Sequence, residues 1–542
     1  TYRRGSAKLE NGIPAFDAVD SLVSERALRE LYLKPFQMAV EAGLHCVMTS
    51  FNKVNGTFAG GSKDLCTHIL REEWGFDGVV MTDWGAMHDR AASLKSGLDL
   101  EMPGDCAICR KWIIDGIADG TLAMSELDKA AENILTLIEK VTQTKEPNAV
   151  DFTAHHKLSA EIAEDCAVLL KNDGSLPLDK QEKVFVVGDL FDKMRYQGAG
   201  SSMINPTAVT TPQNAFDKRG IVYDFARGYA ENRLEPQLDW IAEAVKKASR
   251  YDKGLIFAGL TDYVESEGCD RENLSLPQNQ IELINALIKT GKKIIVVLYG
   301  GSVVELPFAE KVNAILNMFL PGQNGGTATC RLLFGDKTPS GKLAETWVNS
   351  YSDVPSGSEF AKTLNEVYRE SIYVGYRYYL TAKKQVRYPF GFGLSYTTFD
   401  YSDLQVRQES GKIFASCHIT NTGNYDGAEV VQLYMKAPKT DVFKPEKELR
   451  AFTKVYLKKG ESKSIALELN ESDLSHFDMK QNRWVLERGE YELQICSDCQ
   501  TVRLSAPVKI EGEQAISPNK KEVQKVYGSA EIGEITDEIW QE

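Results

Sequence analysis

Two carboxylates stand where this chain could use them chemically. Asp83 follows the apolar run VVMT at 79–82 and precedes Trp84, so a parallel strand would deliver its side chain to the strand's C-terminal mouth, where α/β enzymes hold their reactive groups. Glu267 lies in the segment ESEGCDR at 265–271, just after a strand-like run that ends at Leu260, and so also sits on a strand's C-terminal side. If the domains carrying them face each other, the two acids meet in an interdomain cleft, a common place for a ligand. One ionised carboxylate acting as nucleophile and one protonated carboxyl acting as general acid are the equipment of glycoside hydrolysis. Position alone leaves other uses open: a strand-end Asp also caps helices and forms turns, and ESEGCDR also suits a solvated loop.

This chemistry asks for no metal and no organic cofactor, and none is expected. The seven histidines show no ligand-like clustering beyond the adjacent His155 and His156, which read as linker residues.

The elements that must hold these acids can be read from periodicity. Apolar residues at Ala27, Leu28, Leu31, Tyr32, Phe36, Ala39 and Val40 predict an amphipathic helix over 24–41 capped by Ser24. A short apolar run at 44–49, a helix near 63–73, a strand at 78–82 and a repeat of the pattern through 98–102 follow. Their alternation predicts parallel α/β architecture. A further helix is expected from Ser125, with Ser125 and Asp128 as its capping box. The polar stretch TQTKEPNAVD at 142–151 reads as a linker.

Strand-like runs at 184–188, 254–260, 293–299 and 314–318 then describe a second α/β domain. Continuous β-branched runs such as IIVVLY suit a mostly parallel sheet buried on both faces. Beyond about residue 378 the texture changes to short alternating segments at 418–420, 429–435, 464–469 and 491–496, punctuated by Gly and Asn turns. That pattern predicts an antiparallel β-sandwich. The charged stretch 513–542 reads as a tail with a docking segment near 535–540.

Length and composition agree with several packed domains: 542 residues, 43% hydrophobic and 26% charged. The longest apolar runs are strand-length, so no membrane span is expected. With 63 basic against 77 acidic residues the net charge is −14, which gives a phosphate backbone no general attraction and argues against nucleic acid as a partner. Ten scattered cysteines read as buried free thiols of a reducing compartment, hence a cytoplasmic expectation. Two Cys-x-x-Cys pairs occur, Cys106 with Cys109 and Cys496 with Cys499. A joint zinc site between them is disfavoured by their separation in sequence and the lack of knuckle glycines.

Several longer motifs bring a known family into view. VSERALRELYLKPF at 23–36, MTSFNKVNG at 48–56, LREEWGFDGVVMTDWGA at 70–86, GLDLEMPG at 97–104, LLKNDGSLPL at 169–178, ESEGCDR at 265–271, PSGKLAETW at 339–347 and YPFGFGLSYTTF at 388–399 run in one order along nearly the whole chain. In this the sequence resembles glycoside hydrolase family 3 of the bacterial and fungal β-glucosidase type.

The resemblance implies a multidomain α/β plus all-β fold: the C-terminal part of a (β/α)8 TIM barrel at 1–141, a linker at 142–157, and an α/β sandwich domain carrying the acid/base loop at 158–350. A connecting segment at 351–395, a fibronectin type III-like β-sandwich at 396–512 and a tail at 513–542 complete it. It further implies a retaining, exo-acting β-glucosidase that removes terminal non-reducing β-D-glucosyl residues from a β-linked glucoside or oligosaccharide. Asp83 would be the nucleophile, and Glu267 rather than Glu265 the acid/base. Trp84 would form an apolar wall of the sugar site, with Met48 and Arg3 also at sugar-binding positions. Arg195, Ser201 and Ser202, in the segment RYQGAGSSMINP at 195–206, would reach the substrate.

Two departures from the family pattern matter. A complete barrel takes roughly 250 residues, and only about 140 precede the linker. The chain, which starts at Thr1, is therefore expected to be truncated, or else to rely on association as a homo-oligomer or on another chain for the missing units, because exposed strand edges need covering. Phe51 stands where many relatives carry Tyr, so no phenolic hydroxyl is available there to the nucleophile. The competing readings are a noncatalytic or incomplete member acting in sugar binding or assembly, and a β-xylosidase or other β-glycosidase. A phosphorylase is disfavoured by the Glu267 loop.

Overall fold

The computed structural model describes residues 19–104, 106–143, 149–360, 362–514, 516, 521–536 and 539–540. The chain divides into two compact units, one built from Thr1–Val150, Glu359–Ile372 and His476–Arg483, the other from Asp151–Ser358, Tyr373–Ser475 and Trp484–Glu542.

In the first unit the strands Cys46–Thr49 and Val79–Thr82 pair in parallel, with Thr49 opposite Thr82. The helix Asp64–Glu73 connects them and packs Cys66 and Leu70 against Val80, Phe76 and Leu98. The expected third strand at 98–102 is reduced to one parallel bridge, Leu100 to Met81. The reason is local: the amides of Asp99 and Leu100 both donate to the Val80 carbonyl, at 2.9 and 3.1 Å, as in a bulge. The Asp99 carboxylate then takes the place of a strand partner by accepting the Val80 N–H at 2.8 Å.

That carboxylate is buried and fully used. Arg71 donates to it at 2.7 Å, and Asn133 reaches its second oxygen at 2.9 Å from the helix Met124–Thr142. Arg71 also holds the carbonyls of Gly78 and Gly97, at 3.0 and 3.2 Å, and Arg90 holds that of Asp99 at 2.8 Å.

Three local expectations are corrected here. The helix over 24–41 is capped by Ser24, whose Oγ accepts the Ala27 N–H at 3.3 Å. It is nevertheless divided into Glu25–Ala27, a widened stretch Leu28–Tyr32, and Lys34–Glu41, whose first turn contains Pro35; a proline has no N–H to continue the helical ladder. The later helix starts before Ser125, and Glu126 accepts the Ala123 N–H at 2.8 Å, so Ser125 and Asp128 are not its capping pair. The stretch 351–395 is more than a connection, since Asn365–Val367 pairs in parallel with Asp20–Leu22. The segment His476–Arg483 also belongs to this unit: the Phe477 amide donates to Glu30 at 2.8 Å, and Arg29 lies 4.8 Å over the Phe477 ring.

The second unit is built on a six-stranded sheet in the order Val168–Asn172, Ala314–Asn317, Lys293–Tyr299, Lys253–Gly259, Val184–Val187, Tyr223–Ala226. Every pairing is parallel except that of Val168–Asn172. Residues 294–299 are all buried, which is why their run is apolar without alternation. The expected sandwich follows. One sheet comprises Phe399–Glu409, Lys412–Asn421 and Ser462–Asn470, the other Glu448–Leu457, Gly427–Lys436, Gly489–Cys496 and Val502–Ile510. Alternating inward residues such as Ile413, Ala415, Cys417 and Ile419 fill the core between them.

The helix Phe152–Cys166 starts inside the stretch read as linker, and His156 in it hydrogen-bonds Thr210 and Gln323 at 3.0 and 2.8 Å. These histidines are helical residues. The tail also docks earlier than expected, through the helix Lys521–Ser529, where Tyr527 stacks on Phe443 with ring centroids 4.8 Å apart. All ten cysteines are free, but Cys166 and Cys269 are exposed, so the buried-thiol reading does not extend to them. Among the described residues no helix is long and apolar enough to cross a membrane.

Asp99→Ala leaves the Arg71 guanidinium without its counter-charge in a mostly buried site, and loss of about 3–5 kcal/mol is expected. Hydrogen exchange of the amides from Val79 to Leu100 is the check: protection there should fall by at least a hundredfold, while amides of the six-stranded sheet stay as they are.

Candidate active site

In the first unit Asp83 occupies the position expected of it, directly after the strand Val79–Thr82. Its amide donates to the Thr49 carbonyl at 3.1 Å, which extends the parallel pairing by one residue and fixes where the side chain leaves the sheet. A tight turn follows: the Ala86 amide returns to the Asp83 carbonyl at 3.1 Å, and the Trp84 amide donates to a carboxylate oxygen of Asp83 at 2.6 Å. The turn is tied to the segment after Leu100. Met102 donates its amide to Thr82 Oγ1 at 2.9 Å and accepts the Gly85 N–H at 2.9 Å. The Asp83 carboxylate is thus half-buried on a doubly anchored turn, with one oxygen directed by a backbone amide.

Trp84 is 64% exposed and Met48, opposite Met81 in the parallel register, is 57% exposed. Large apolar side chains left bare beside a carboxylate suit contact with the apolar face of a sugar ring. Arg3 lies outside the described residues.

In the second unit the loop after Lys253–Gly259 carries both glutamates, and the structure treats them differently. Glu265 is committed. Arg195 donates to its carboxylate at 2.6 Å and to its carbonyl at 2.7 Å, the Gly301 amide donates at 2.9 Å, and the Ser302 hydroxyl makes a further short hydrogen bond. Ser302 also accepts from Arg271 at 2.9 Å, so one hydroxyl ties the two ends of ESEGCDR to the turn after Lys293–Tyr299. Burial holds the Arg271 guanidinium below its ordinary range, with Glu265 opposing that shift.

Glu267 is exposed instead. Its amide donates to the Ala199 carbonyl at 3.1 Å, and its carboxylate accepts from both the amide and the hydroxyl of Ser201. The approach requires glycine at 200, which has φ +101°; a Cβ there would stand 2.4 Å from Glu267 Cβ and 2.5 Å from Oε2. Ser202 is exposed on the same loop.

Arg195 is buried, with its guanidinium turned to Glu265, to Asp262 at 3.2 Å and to the Leu260 carbonyl at 3.1 Å. Its position is that of a residue that shapes the loop. The structure therefore groups Asp83, Trp84 and Met48 in one unit, and Arg195, Ser201, Ser202 and Glu267 in the other. Sequence reasoning missed the clamp formed by Glu265, Ser302 and Arg271, although the Gly-Gly-Ser turn at 300–302 after the apolar run 294–299 was a signal for it.

Asp83 thus follows a strand of the first unit and Glu267 lies on the loop after a strand of the second. Comparison with known proteins identifies the family. The glycosyl hydrolase family 3 N terminal domain matches residues 16–137, the glycosyl hydrolase family 3 C-terminal domain residues 167–396 and the fibronectin type III-like domain residues 429–499. Thermostable beta-glucosidase B of Acetivibrio thermocellus is 39% identical over 96% of this chain and 71% of its own. An exo-alpha-(1->6)-L-arabinopyranosidase of Bifidobacterium longum is 37% identical over 96% of this chain and 72% of its own. The crystal structure of a Bifidobacterium adolescentis GH3 beta-glucosidase superposes with a TM-score of 0.88 at 37% identity, covering 95% of this chain and 78% of the other. The chain belongs to glycosyl hydrolase family 3, with the barrel-domain region, α/β sandwich and fibronectin type III-like sandwich of that family.

Arg195→Met strips Glu265 of its main counter-charge, and a loss of about 3–5 kcal/mol is expected. The double variant Arg195→Met/Glu265→Leu should recover part of that loss. Chemical denaturation of the two variants and the parent chain measures both effects.

Proposed function

We propose that this chain is a retaining, exo-acting β-glycosidase with β-glucosidase activity, with Asp83 as nucleophile and Glu267 as acid/base. The observation that carries the reading is the unequal treatment of the acids: Asp83 and Glu267 stand on anchored turns, half-buried and exposed respectively, while Glu265 is held by Arg195 and the 301–302 turn. Of the two glutamates, only Glu267 combines exposure with a fixed backbone.

In the proposed cycle a carboxylate oxygen of Asp83 attacks the anomeric carbon as Glu267 gives its proton to the departing oxygen. The aglycone leaves and a glycosyl-enzyme remains. Glu267, now ionised, takes a proton from water, which attacks the same carbon and releases the sugar with its configuration retained. Such a double displacement needs the two carboxyl groups roughly 5–5.5 Å apart. Trp84 and Met48 supply apolar surface for the ring, Ser201 orients Glu267, and Arg195 acts as a positioning residue through Glu265. Phe51 offers no phenolic hydroxyl where many relatives carry Tyr, and glucose has a pentopyranose competitor as the sugar removed. The 37% identity to an arabinopyranosidase favours α-L-arabinopyranosides as the second substrate class.

Release of nitrophenol from aryl β-D-glucosides and aryl α-L-arabinopyranosides tests the assignment. Asp83→Asn is expected to abolish turnover of both. Glu267→Gln should slow a poor leaving group by about 10²–10⁴ while sparing the first step with an activated aryl group. Full activity in Asp83→Asn would sink the mechanism.

A further inference from the structure

The Cys106–Cys109 pair is left unused by the reaction, and the structure adds a third group to it. The segment after Leu100 turns back through Gly104, at φ +77°, and brings Glu101 over the start of the helix Ala107–Asp119. One carboxylate oxygen of Glu101 and the two sulfurs of Cys106 and Cys109 all lie within 4.8 Å of one another. Cys109 is buried on the helix, and Cys106 and Glu101 are partly exposed, so the cluster is open to solvent on one side.

From this geometry we propose that Glu101, Cys106 and Cys109 form a three-ligand site for a thiophilic divalent cation of the Zn²⁺ type, with a fourth position open to water.

The donor set decides the class of ion. Two thiolates and one carboxylate are the sulfur and oxygen ligands that Zn²⁺ accepts at about 2.3 and 2.0–2.2 Å, whereas Mg²⁺ and Ca²⁺ want oxygen alone. The two-residue gap between the cysteines is the usual spacing of a zinc-binding pair.

The site also adjoins the Asp83 turn, since Met102, next to Glu101, holds both Thr82 and Gly85. It needs nothing from the second Cys-x-x-Cys pair, which lies in the other unit.

Titration of the reduced, chelator-treated full chain with Co²⁺ tests the site. The expected result is a thiolate-to-cobalt charge-transfer band that saturates at one equivalent and is removed by Zn²⁺. The band should vanish in Cys106→Ser/Cys109→Ser, and Glu101→Gln should weaken Co²⁺ binding at least tenfold. Cys106→Ser, at the half-exposed position, guards against misfolding of the double variant: with an unchanged melting profile it should still lose most of the band. No band in the reduced parent chain, or an undiminished band in folded Cys106→Ser, overturns the proposal.

Discussion

An ionised carboxylate withdrawn from water must be matched donor by donor, or the fold loses several kilocalories per mole. That constraint organises both units of this protein. In the first, Asp99 accepts from Arg71, Asn133 and the Val80 amide, and so binds two helices and a strand to one point. In the second, Glu265 accepts from Arg195, Gly301 and Ser302 and locks a long loop onto the ends of two sheet strands. Glu265 sits two residues from the exposed Glu267, and Asp99 sixteen residues from Asp83, in the segment that pairs with the strand leading to it.

The two anchors differ in how they work. Asp99 substitutes for a missing stretch of strand, so that the parallel pairing narrows to a bridge at Leu100 without leaving Val80 unbonded. Glu265 instead closes a loop on itself through Arg195, which reads both its side chain and its carbonyl. A guanidinium suits that task because its planar fork offers several donors in fixed directions. Gly200 completes the arrangement by removing the one side-chain atom that would bar Glu267 from its neighbouring loop.

Membership in glycosyl hydrolase family 3 and the proposed catalytic pair come from different kinds of observation. The family is carried by sequence matches over three successive domains and by a close superposition with a solved relative. The roles of Asp83 and Glu267 rest on which carboxylates the local structure consumes and which it presents. Choice of sugar depends on finer contacts, and relatives at 39% and 37% identity carry different names for their substrates.

The sequence by itself determined the domain order, the mostly parallel sheet and the sandwich, because continuous apolar runs and alternating ones bury in different ways, and that difference is local. It also determined that Asp83 would follow a strand and Glu267 a strand-end loop. Tertiary structure decided the rest. Asn365–Val367 is too short and too polar to announce itself, and becomes a strand only because Asp20–Leu22 offers it an edge. Likewise Lys521–Ser529 docks through Tyr527 against Phe443, a partner 84 positions earlier that no periodicity in the tail could name. Most of all, the motif singled out Glu267 without a physical reason: two acids two residues apart differ in surroundings only once Arg195, brought from 70 positions away, binds Glu265 and leaves Glu267 exposed.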